Sequence, residues 1–139
     1  MTEIEIVFPN KEIYFLPHTI DSDEDLKSSF QKLFGCLEAS KAKCVVYFYC
    51  SDRPVSCVNG STTILYIGKT KGSIKGRYYR YSAKLSNGKN GDFYKNVINY
   101  YGGLKIGYFF AENPREEEKK AFSRFRKIYK QNPPKSKRG

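Results

Sequence analysis

The sequence predicts an α+β domain: a small sheet of three strands, mixed or antiparallel, flanked by helices and preceded by a β-β-α extension. Three observations predict it. The run from Cys44 to Cys50, CVVYFYC, is continuously apolar and β-prone, as a strand buried on both faces must be. A second apolar run, residues 62–67, stops at Gly68 and passes straight into a basic, tyrosine-rich segment. Residues 113–129 carry the start signals and the apolar stripe of a helix. The chain has 139 residues, enough for one core of ordinary size.

Residues 3–8 and 11–16 read as short strands joined through Pro9-Asn10 in a hairpin. Asp21 and Glu24 have capping-box spacing, and Leu26, Phe30, Leu33, Phe34 and Leu37 follow at helical intervals. The strands at 44–50 and 62–67 are sequential and closely connected, so they are expected to pair. Residues 73–85 form a helix with Ile74, Arg77, Tyr78, Tyr81 and Leu85 on one side, ended by the glycine-rich SNGKNG at 86–91. A short helix over 92–101 stops at Gly102-Gly103, and LKIGYFF (104–110) is the third strand. Asn113 as N-cap, Pro114 in the first turn and Glu116 completing a capping box open the last helix, which runs to Tyr129. The expected organisation is an extension over 1–42 packed on the core, a main domain over 43–132, and a mobile basic tail over 133–139.

Charge divides the chain more sharply than its net of +11 suggests. Residues 1–40 hold three Lys/Arg against eight Asp/Glu, a balance of −5, while residues 41–139 hold twenty-two against six, a balance of +16. A basic excess confined to about a hundred residues points to a polyanion partner, most simply nucleic acid. No apolar 18-mer, signal peptide or lipidation motif is present, which argues against a membrane partner and for a cytoplasmic protein. Cys36, Cys44, Cys50 and Cys57 match no zinc spacing, and His18 is the sole histidine, so the cysteines read as reduced apolar residues. Gly68-Lys69-Thr70 imitates the end of a phosphate-binding loop, but Thr63 stands where that loop needs its first glycine.

Val45-Val46-Tyr47, then Tyr66-Ile67-Gly68, then Arg77 on a helix and an acidic final helix together resemble the GIY-YIG nuclease family over residues 43–136. The resemblance implies a metal-dependent endonuclease that hydrolyses DNA phosphodiester bonds. Tyr47 and Tyr66 would stand on adjacent strands, with Tyr47 as general base and Tyr66 orienting water or phosphate. Arg77 would stabilise the charged phosphate, with Tyr81 one helical turn away, and a glutamate opening the last helix would bind Mg²⁺ or Mn²⁺. Lys69, just past the strand, is the cation that would help Tyr47 ionise or would contact the phosphate itself. A free phenol is otherwise ionised only about one part in a thousand at pH 7.

Glu116, Glu117 and Glu118 compete for the metal. At about 100° per residue, Glu118 lies roughly 20° from the centre of the stripe Ala121, Phe122, Phe125, Ile128, Tyr129, Glu117 roughly 80°, and Glu116 on the far side. Glu118 is therefore the metal ligand of choice, and Glu116 is better used in the cap. A carboxylate on an apolar face needs a partner, either a divalent cation or a neighbouring Lys or Arg. Lys71, Lys75, Arg80, Lys84, Arg124 and Lys127 are the expected backbone contacts to duplex or branched DNA; such contacts position the duplex without reading its sequence. The sequence departs from the family pattern at Val45, at the eighteen residues between Tyr47 and Tyr66, and at Ser136, where Pro-Pro-x-Asn is the rule. Ser136, with Asn132 nearby, is left to support the site. A silent nucleic-acid-binding module of the same fold and an RNA-cleaving enzyme share these residues, and a homodimer and a nicking monomer are equally compatible with them.

Overall fold

A computed structural model describes residues 1–79 and 87–136, the side chain of Tyr79 excepted. Arg80, Tyr81 and Lys84, and the last three residues of the tail, lie outside the described residues. Four strands form one fully antiparallel sheet: β1 (Tyr14–Phe15), β2 (Lys43–Ser56), β3 (Ser61–Ser73) and β4 (Leu104–Phe110), in spatial order β1-β4-β2-β3. Among the described residues six helices flank it: α1 (Glu3–Val7), α2 (Leu26–Phe34), α3 (Leu37–Lys41), α4 (Ile74–Tyr79), α5 (Gly88–Tyr101) and α6 (Pro114–Tyr129). Among the described residues no helix is long and apolar enough to cross a membrane.

The apolar run of β2 has the expected cause. Val45, Tyr47 and Tyr49 point into one core with α2, α3, α4 and α5, while Val46, Phe48 and Cys50 point into a second with α1 and α6. A period of two along a central strand thus feeds two separate cores. Phe48 crosses over Gly107 of β4, where a Cβ would collide with its ring.

β3 pairs Tyr66 with Tyr49 and Ile64 with Cys50, so Leu65 is an extra residue, a bulge. Through it Leu65 and Tyr66 both turn toward the first core. The Leu65 carbonyl accepts the Lys135 N–H at 2.8 Å, which lays residues 133–136 along this edge strand. Pro133 is buried and the segment lies against an open sheet edge.

The extension differs most from the sequence reading. Residues 3–8 are not a strand, because the Thr2 hydroxyl accepts the Glu5 N–H at 3.2 Å and caps α1, whose Val7 enters the second core together with Phe8. Asn10, at φ 61°, turns the chain back, and of the second expected strand only Tyr14–Phe15 pair, with β4 rather than with residues 3–8. The cap of α2 is Asp25, not Asp21, because Ile20 is still extended, exchanging two 2.9 Å backbone bonds with Leu104. The helix ends at Gly35, so Leu37 starts α3 and is 64% exposed instead of joining the stripe. SNGKNG does not lie wholly in a loop: Asn87 is the N-cap and α5 begins at Gly88, the Gly91 N–H bonding to the Asn87 carbonyl at 3.1 Å.

Candidate active site

Register brings the first two tyrosines together. Tyr47 of β2 lies opposite Gly68 of β3, and its ring stands 6.1 Å from that of Tyr66, nearly parallel at 22°. Gly68 is required there because a Cβ would fall on the Tyr47 hydroxyl and ring. The glycine that ends the apolar run is thus the floor under Tyr47.

The Ser73 hydroxyl accepts the Gly76 N–H at 2.9 Å at the start of α4, and the Ile74 N–H bonds to the Ala42 carbonyl at 3.0 Å. Ile74 and Tyr78 are buried, and Arg77 between them is exposed at the sheet edge. Its guanidinium lies close enough to the Tyr47 phenol to favour its ionised form. Tyr78 stacks on Phe34 of α2 at 4.7 Å and 18°, and meets Tyr47 edge-on at 5.0 Å and 85°. The acidic extension therefore holds Tyr47 in place through Phe34 and Tyr78, a link the sequence reading missed; its only signal was an apolar pair of aromatic residues at helical positions. Tyr49 and Tyr94 complete the cluster, 5.9 Å apart. The Tyr49 and Tyr78 hydroxyls are buried and find no partner of full hydrogen-bond geometry among the described residues, although that of Tyr78 interacts with both Tyr47 and Tyr49.

Helix α6 sorts the three glutamates by facing. Asn113 Oδ1 accepts the Glu116 N–H at 3.3 Å, and Glu116 is exposed. Glu117 pairs with Lys11 at 3.2 Å and with Lys120 at 4.0 Å. Glu118 is half-buried, where loss of water raises its carboxyl above the usual range while the charges of Lys69 and Arg77 pull the other way. Residues from β2, β3, α4 and α6 thus converge: Tyr47, Tyr66, Lys69, Arg77 and Glu118.

Other expected residues are placed differently. Lys71 is exposed beside Lys69, and Lys75 lies on α4. Arg124 donates from Nη1 to the Val7 carbonyl at 3.3 Å, tying α6 to α1. Lys127 is exposed but lies about 180° around α6 from Glu118, away from the site. Asn132 accepts from Arg126 Nη1 at 3.2 Å at the protein surface, whereas the Ser136 hydroxyl is buried beside β3 with no partner among the described residues.

Electrostatics bears on one expected role. Tyr47 is 1% exposed, and burial, with Tyr66 adding to it, pushes its phenol far above the ordinary value; the nearby Tyr78 hydroxyl and Arg77 guanidinium pull it down but do not offset this. The Arg77 charge favours the Tyr47 phenolate, but desolvation outweighs it. Burial raises Tyr49, Tyr78, Tyr94 and Tyr129 as well. A raised tyrosine favours the folded state fully below the unfolded value, about pH 10, and loses that contribution as pH climbs through the folded value. An alkaline titration followed by phenolate absorbance is therefore expected to show two waves, the second carrying these five residues and coinciding with loss of circular dichroism. A single wave with the dichroism intact would contradict that burial.

Among the described residues no three His, Cys, Asp or Glu gather into a metal cage. A single half-buried carboxylate at an open edge suits an ion that keeps several waters and takes further oxygens from a substrate phosphate, as Mg²⁺ does. No protein-family model matches the chain, and no curated protein or solved structure matches it significantly.

Proposed function

We propose that the protein is a metal-dependent endonuclease that hydrolyses DNA phosphodiester bonds, as the resemblance to GIY-YIG nucleases implies. The observation that supports it best is the convergence of Tyr47, Tyr66, Lys69, Arg77 and Glu118 from four elements at one sheet edge. The planar guanidinium of Arg77 clamps two phosphate oxygens and takes up the charge that develops as phosphorus is attacked. Lys69 adds a second positive charge beside it. Burial keeps Tyr47 a neutral phenol, so it donates a hydrogen bond to the phosphate. Tyr66, half-buried at the rim, is the tyrosine that solvent reaches, and it holds the attacking water. The water adds its hydroxyl to phosphorus, the bond to the 3′ oxygen breaks, and the remaining proton ends on that oxygen. Glu118 would hold Mg²⁺ or Mn²⁺, which when bound supplies charge neutralisation at the departing 3′ oxygen.

A nucleic-acid-binding module without catalysis is the second reading, favoured by the burial of Tyr47; RNA cleavage would use the same residues. Supercoiled plasmid incubated with Mg²⁺ or Mn²⁺ is expected to be nicked by the wild type, and Glu118→Ala to lose at least about 100-fold in rate. Wild type that binds but never nicks plasmid, branched or modified DNA favours the silent module. Glu118→Ala cutting at the wild-type rate would remove Glu118 from the site.

A further inference from the structure

A cavity of about 360 Å³ opens along α5, lined by Val55, Phe93, Asn96, Val97, Tyr100 and Tyr101. Five of the six come from α5, on one stripe of the helix. Three are aromatic, one is an amide, and none is charged. Tyr100 is 69% exposed, so its ring is offered to solvent without a partner that buries it.

Cations frame this apolar wall. The Lys135 ammonium lies over the Phe93 ring at 5.2 Å, Lys89 stands one turn before Phe93 on the same stripe, and Arg53 Nη2 donates to the Tyr100 carbonyl at 2.9 Å. Within the core, successive ring contacts lead from Tyr66 to this wall: Tyr66 to Tyr49 at 5.1 Å, Tyr49 to Tyr94 at 5.9 Å, Tyr94 to Phe93 at 5.3 Å. Lys135 belongs to the segment whose backbone pairs with Leu65, next to Tyr66.

We propose that this cavity binds a nucleobase of a single-stranded DNA segment next to the bond cut at Arg77. The proposal rests on the nuclease reading and adds a substrate class to it: DNA with an unpaired stretch, as at a branch or flap. Aromatic faces take the base by stacking, which tolerates any base. The Asn96 amide, with a donor and an acceptor, faces a base edge. Phosphates on either side of the base meet Lys89, Lys135 and Arg53. A peptide side chain entering the same cavity would gain the stacking but not the charge complementarity at both ends.

The test uses the full chain and single-stranded oligonucleotides carrying 5-iodouracil at successive positions, photo-crosslinked and mapped by mass spectrometry. Crosslinks at Phe93, Tyr100 or Tyr101 are expected, and Tyr100→Ala, a change at an exposed side chain, is expected to lose the Tyr100 crosslink and weaken single-strand binding about 10-fold. Crosslinks confined to other segments while the oligonucleotide is bound overturn the pocket, and the nuclease reading stands if plasmid is still nicked. Pocket crosslinks in a protein that cuts nothing keep the base site and overturn the nuclease reading. Failure to bind DNA of any form overturns both.

Discussion

Arg77→Lys is expected to lower the nicking rate about 100- to 1,000-fold, the range found when one preorganised transition-state donor is removed. It should leave the melting temperature within about 2 °C, because Arg77 is exposed and its neighbours Ile74 and Tyr78 carry the packing of α4. The substitution keeps the charge and removes the fork. Lys69 already supplies a point charge to Glu118. What lysine cannot do is present two parallel donors in a fixed plane to one phosphate. Initial rates with Mg²⁺, DNA affinity by fluorescence anisotropy and a thermal melt separate the possibilities. A rate within threefold of the wild type would mean that Arg77 acts by charge alone. An equal loss of affinity and rate would mean that it binds substrate and does not favour the transition state.

Much of the site was legible because it depends on periodicity. A period of 3.6 singled out Glu118 among three adjacent glutamates; Glu117 pairs with Lys11, and Glu116 is exposed and gives only its backbone N–H to the Asn113 cap. The strand reading and the family resemblance put Tyr47 and Tyr66 on adjacent strands, but the bulge at Leu65 that turns Tyr66 toward the core of Tyr47 left no mark in the sequence. Tyr47 was visible as a residue but not as an electrostatic environment. Whether Arg77 or burial governs its phenol depends on how many side chains close over it, and those come from α2 and α4 as well as from its own strand.

The extension was least legible because its local signals are weak. Glu-Ile-Glu-Ile alternates as a strand does, yet the segment is helical: Thr2 caps it and its carboxylate at position 3 is taken by partners about sixty residues and more away. Tertiary contacts decided what propensity left balanced. The path of residues 133–136 was illegible for the same reason: their basic composition says nothing of the Leu65 carbonyl that receives Lys135.

Glu3→Ala is expected to cost about 4 kcal/mol and to lower the melting temperature by roughly 10–15 °C. One carboxylate there serves four donors. Oε1 accepts the Thr63 N–H at 3.0 Å and the Thr63 hydroxyl at 2.7 Å, and Oε2 accepts the hydroxyls of Thr62 and Tyr129. Thr62 is fully buried and Tyr129 nearly so, so alanine strands donors where water does not easily replace the acceptor. Hydrogen bonds to an ionised acceptor are about twice as strong as neutral ones, which sets the size of the loss. Glu3→Gln keeps one oxygen but turns an amide donor toward the others, so about half the loss should remain. The carboxylate joins α1 to β3 and to the end of α6, the two elements that carry Tyr66, Lys69 and Glu118. A weakened clasp should therefore also loosen the spacing across the site, and nicking should fall at temperatures well below the melting point of the variant. A Glu3→Ala protein that melts within about 2 °C of the wild type would show that residues 1–8 are held by Val7, Phe8 and the Arg124 bond to the Val7 carbonyl without the carboxylate.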